Sequence, residues 1–131
     1  DKFHADIDRI QHVVLNLNNP EGTITWHSTP GPLAEAIKTG IPEVEYVAHV
    51  ANDGPRLFEY KDLTFLPGGY FTDPDFFKIF SYKIIAGDAN NPLPSPSSIV
   101  LTNSLAKKIF GNEDPIGKVV KVRSENDLMV T

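Results

Sequence analysis

The sequence predicts an α+β fold, a mixed or antiparallel sheet carrying short packed helices and arranged as two small lobes. Short β-branched or alternating runs recur at 10–17, 44–50, 57–66, 82–85, 98–101 and 118–122, with helical-period apolar runs at 33–38, 76–80 and 105–110 between them. Their order is strand, helix, strand, strand, helix, strand, strand, helix, strand, which is not the strict alternation of a parallel α/β sheet. The size also fits, since 131 residues at 40% hydrophobic and 22% charged can bury one real core.

Taken in order, residues 10–17 (IQHVVLNL) make a strand that stops at Asn18-Asn19-Pro20-Glu21-Gly22, a cluster that breaks helix and strand alike. Pro32 leads into a helix whose Leu33, Ala36 and Ile37 share a face, with Gly40 offered as its left-handed stop. Val44, Tyr46 and Val50 mark one face of the next strand. Asn52-Asp53-Gly54-Pro55 is a strong turn, so 57–66 is expected to return as its hairpin partner. Thr72 or Asp73 can cap a helix that begins with Pro74 and places Phe76, Phe77 and Phe80 in fixed positions. Asp75 suits the positive end of that helix's dipole. Residues 82–85 continue as a short strand, and the proline-rich loop 89–98 should be exposed. Ser98 to Leu101 reads as a buried strand, and Thr102 caps a helix turning Leu105, Ala106, Ile109 and Phe110 inward until Gly111 ends it. Residues 118–122 form a strand, and 128–131 look like a strand cut partway. The abrupt ends suggest an excised fragment.

Composition narrows the function. A net charge of −5 with 12 scattered basic residues argues against a nucleic-acid surface. With no cysteine, thiolate catalysis, disulfides and cysteine-ligated zinc are excluded. No run approaches the roughly 20 apolar residues that a membrane helix needs.

Several pieces in fixed order carry a resemblance. They are Asp1-Lys2-Phe3-His4 with Arg9-Ile10, Pro32-Leu33 to Ile37 with Pro42-Glu43-Val44, and Tyr70 through Phe80. Ile85-Ala86-Gly87-Asp88, Ala106-Lys107-Lys108-Ile109-Phe110-Gly111 and Asp114-Pro115-Ile116-Gly117-Lys118 follow. The set resembles the MacB-like periplasmic core domain of FtsX-type ABC transporter permeases along nearly the whole chain, 1–131, with sub-lobes 1–67 and 68–131. The resemblance implies a non-catalytic domain on the periplasmic face of the bacterial inner membrane, with Asp1 close behind a transmembrane helix. It implies a dimeric permease, flanking membrane helices and a cytoplasmic ATP-binding subunit whose work is transmitted outward. Relatives extrude toxins or peptides, release lipoproteins or activate cell-wall hydrolases, so a periplasmic adaptor, a lipoprotein or a hydrolase is the implied kind of partner. The alternative is a free-standing periplasmic lipid- or peptide-binding module, motivated by the aromatic residues near 70–82.

Candidate chemistry gives way to plainer readings at each position, and no catalytic, cofactor or metal residue is predicted. His4, Asp6 and Asp8 would share a face only on a strand, and the resemblance makes this stretch helical. His12, His27 and His49 lack metal-ligand spacing. Ser95, Ser97 and Ser98 sit beside Pro94 and Pro96 without a nucleophile elbow, although His49 and Asp53 complete a triad on paper. Gly111 to Lys118 mimics a phosphate loop but carries Glu113 and Asp114, has Val119 where a magnesium-binding hydroxyl belongs, and precedes a strand. Trp26, Tyr46, Tyr60 and Tyr82 are expected mainly in the core, and loop 89–98 is the better contact surface.

Overall fold

A computed structural model describes residues 4–52, 54–123 and 125–131. The opening Asp1-Lys2-Phe3 motif and the Asp53 of the paper triad lie outside the described residues. A 3-10 turn at Ile7–Arg9 is followed by β1 (Leu15–Asn19), β2 (Gly22–Trp26), α1 (Leu33–Gly40), β3 (Val50–Ala51), β4 (Phe58–Tyr60) and β5 (Leu63–Phe65). Then come β6 (Phe71–Thr72), α2 (Phe76–Ile79), β7 (Ser98–Ile99), α3 (Asn103–Phe110), β8 (Val119–Val122) and β9 (Asn126–Val130). The class is α+β, as the element pattern predicts.

The core lies on one face of a five-stranded mixed sheet ordered β5-β4-β8-β9-β7, antiparallel except for the parallel β7–β9 pair. Period-two alternation in β8 turns Val120 and Val122 inward and Val119 and Lys121 outward. Val120 is fully buried and joins Phe58, Val122, Val130 and the helical Ile109 and Phe110 in one cluster. The outward face is polar by register, with Glu59, Lys121 and Asp127 side by side across β4, β8 and β9. Helix α3 is held at both ends by local chemistry: the Leu105 N–H donates to the Thr102 hydroxyl at 3.3 Å, and Gly111 closes the helix at φ 63.

The remaining strands form two separate pairs, β1 with β2 and β3 with β6. In the first, Leu15, Leu17, Ile24 and Trp26 share one face, while Asn16–Thr25 and Asn18–Thr23 hydrogen-bond across the other at 2.7 and 2.8 Å.

Several expectations change. The strand expected at 10–17 starts only at Leu15, and the break at Pro20-Glu21 is a hairpin loop leading straight into the unforeseen β2. Residues 57–66 are not one strand but the β4–β5 hairpin, turned at Lys61-Asp62, where Lys61 takes φ 54. That hairpin pairs with β8, so β3 finds its partner in β6 instead. Gly40 does not take the left-handed conformation, since α1 passes into extended Ile41. Asp75, and not Thr72 or Asp73, stands at the N-cap of α2, with no side-chain cap bond. Val44 and Tyr46 lie outside any strand, and residues 82–85 are irregular. Loop 89–98 is mostly exposed, yet Pro92 is buried and its carbonyl accepts from the Thr131 hydroxyl at 2.6 Å.

Candidate functional site

A set of side-chain contacts between segments distant in sequence gathers around α2. Asp75, whose side chain is only 14% exposed, receives Lys78 Nζ at 2.8 Å and Lys38 Nζ of α1 at 3.2 Å. The hydrogen bond from Lys78 foremost, with Lys38 adding to it, holds the Asp75 carboxyl below its ordinary range against the opposing pull of burial. Lys78 in turn lies 5.3 Å from the Tyr46 ring centroid, and neighbouring Glu45 holds Arg9 at 3.0 Å. The rings of Phe77, Phe80 and Tyr82 surround Phe76 at 5.3, 4.7 and 5.7 Å. They are half-buried or exposed and do not belong to the central cluster, so the aromatic segment is a junction outside that core.

Just before α2, Asp73 Oδ2 accepts the His49 backbone N–H at 2.9 Å and stands 2.9 Å from His49 Nδ1. His49 Nε2 lies 2.9 Å from the Gly31 carbonyl, and the His49 carbonyl accepts from the Thr72 hydroxyl at 2.7 Å. This His–Asp pair has the look of a general base, but its second nitrogen faces a backbone carbonyl where a base needs the proton of a nucleophile. The arrangement fastens β3, β6 and the approach to α1 together. Sequence reasoning did not foresee Asp73 as a partner of His49, because residues 24 apart in the chain meet only through β3–β6 pairing.

The other candidates are dispersed. Asp8 lies in the 3-10 turn, Asp6 stands at its N-cap and His4 precedes it, so no strand aligns the three, and His12 and His27 stack at 5.3 Å. Among the described residues no group of three metal-ligating side chains converges. Ser95 and Ser98 spend their hydroxyls on each other at 3.1 Å. In the Gly111–Lys118 segment, Lys118 Nζ binds Glu113 at 2.7 Å and Lys61 Nζ binds it at 2.9 Å. These bonds, Lys118's first, bring the Glu113 carboxyl down to about 2. An acid occupies the place where a phosphate loop would hold an anion. Trp26, Tyr46 and Tyr82 are 52%, 39% and 48% exposed, so core packing fails for all three. Tyr60 does pack on Phe110 at 4.6 Å. A concavity of about 570 Å³ lined by Glu59, Tyr60, Thr64, Val119, Lys121 and Asp127 is an open trough on the polar sheet face.

With this geometry in place, the profile of the MacB-like periplasmic core domain matches residues 1–131. The chain belongs to that family. MacB-like periplasmic core domains are extracytoplasmic parts of ABC transporter permeases, and among the described residues no helix is long and apolar enough to cross a membrane. The same fold occurs in a crystal structure of a domain ascribed to a permease protein of Porphyromonas gingivalis, with a TM-score of 0.71 at 24% identity. The match covers 82% of this chain and 46% of that one, so the MacB-like chain spans under half of the solved domain's length. No curated protein matches.

Proposed function

We propose that this chain is a non-catalytic domain on the periplasmic face of the bacterial inner membrane, relaying ATP-driven movement of a permease's membrane helices to a periplasmic partner or substrate. The family match over residues 1–131 carries the reading. Its construction agrees with the role: α2 ties α1, the 45–46 segment and the N-terminal residues together with ion pairs and ring contacts, as a stiff transmitter requires. The His49–Asp73 pair, which resembles catalytic machinery, is engaged by backbone contacts. In this reading the permease works as a dimer with a cytoplasmic ATP-binding subunit, and an adaptor, lipoprotein or cell-wall hydrolase receives the output, as in efflux or hydrolase activation. A free-standing lipid- or peptide-binding module would need an enclosed apolar pocket, and the trough on the sheet is open and charged.

Labelling of the parent permease in intact cells tests the placement. Asp6→Cys and Lys107→Cys should both react with a membrane-impermeant maleimide once the outer envelope is opened. Reaction only after inner-membrane lysis would refute a periplasmic location.

A further inference from the structure

Resting on that relay reading, we propose that His4 and Ser81 form the joint through which displacement of the N-terminal segment reaches α2. Two reciprocal hydrogen bonds join them across the sequence: the Ala5 N–H donates to Ser81 Oγ at 3.1 Å, and the Ser81 N–H donates to His4 Nδ1 at 3.1 Å. Each segment thus accepts one bond from the other, so the two are tied at two points. The His4 ring then meets Phe80 edge-on at 5.0 Å and Tyr82 at 5.3 Å. Those two rings are the ones that flank Phe76, the first residue of α2, at 4.7 and 5.7 Å.

The N-terminal segment has a second attachment, Arg9 to Glu45, but its side chains are 69% and 56% exposed. A solvated pair of that kind yields under load, because water and salt replace it at little cost. The two Ser81 hydrogen bonds are exposed as well, but they are joined by the His4 ring's contacts with Phe80 and Tyr82, so exchange of a single bond with water does not release this attachment. From α2 the contacts continue through Asp75 to Lys38 on α1, while Asp73, two residues before Asp75, holds His49 beside β3. His4 and Ser81 are therefore positioning residues, passing motion to α2.

Spin-label distances in the parent permease, with other cysteines removed, test this. One label pair joins Asp6→Cys to Lys107→Cys on α3, and the other joins Lys83→Cys to the same α3 site. On ATP binding, both distances should shift in the wild-type background. In Ser81→Ala and His4→Ala the Asp6 shift should persist while the Lys83 shift falls by at least half, and Ser81→Thr, which keeps the hydroxyl, should restore it. Unchanged thermal unfolding of the variants would exclude simple misfolding as the cause of such a loss. A Lys83 shift that survives both alanine variants overturns the joint and leaves the relay reading standing. No shift at either pair in the wild type overturns the relay reading and the joint with it.

Discussion

Gly87 lies against the end of β9, so close that a Cβ on it would stand 2.9 Å from the Thr131 carbonyl carbon and 3.3 Å from its oxygen. The obstructing atoms are backbone and cannot swing aside. Gly87 also sits at φ +85, where L side chains are strained. Thr131 meanwhile donates its N–H to the Ile99 carbonyl and its hydroxyl to the Pro92 carbonyl. One glycine therefore sets how tightly the 85–92 segment packs on the sheet. Gly87→Ala should cost about 2 kcal/mol or more, from backbone strain plus the forced separation. An unchanged denaturation midpoint would show that the approach is looser than described.

Phe110 and Phe77 are both rings on short helices, yet only Phe110 is buried, at 4% exposure. Phe110→Ala should lose about 3 to 5 kcal/mol, the range for emptying a packed aromatic site. Phe77→Ala should lose less, because its ring stays partly exposed and outside the central cluster. Urea unfolding of the two variants side by side checks the ranking, and equal losses would mean that the α2 junction is as much core as the sheet face.

Helix α3 ends at Gly111 with φ 63 and ψ −118, a region in which a β-branched residue has no low-energy conformation. Open space surrounds the position, so the penalty is conformational and not steric crowding. Gly111→Val should destabilise by about 1 to 3 kcal/mol, measured by thermal unfolding. Gly111→Asn should be destabilised as well, because ψ −118 lies far from the left-handed well that asparagine tolerates.

Glu113 titrates at about 2 in the fold against 4.5 for the free side chain, first through Lys118 and then through Lys61. The depressed value means that its contribution is present above about 4.5 and is lost as pH falls toward about 2. Glu113→Gln should flatten that part of the acid limb of a stability-versus-pH curve, and high salt should mimic the variant because both lysines are exposed or nearly so. Superimposable acid limbs for the two proteins would contradict the assignment.

Local chemistry was legible in the sequence, and long-range pairing was not. Thr102 and Gly111 announce α3 because a cap and a left-handed stop act within a few residues of themselves. The alternation of β8 shows directly in Val119 to Val122. The β4–β5 hairpin was hidden because its turn uses Lys61 and Asp62, without glycine or proline, at a positive φ that sequence rules do not expect of lysine. Once that hairpin is missed, β3 has the wrong partner, and the His49–Asp73 contact cannot be anticipated. The α2 junction was visible only as a run of rings. Its ion pairs with Lys38 and its bonds to His4 depend on residues 37 and more than 70 positions away.

The proposed relay requires that this domain respond mechanically to events at a distant ATPase. Amide hydrogen exchange across the domain within the parent permease, with and without bound ATP, tests it most directly. The account predicts altered protection at the 3-10 turn Ile7–Arg9 and at α2, with the α3 core amides unchanged. Identical exchange at every peptide of the domain in the two states would contradict it.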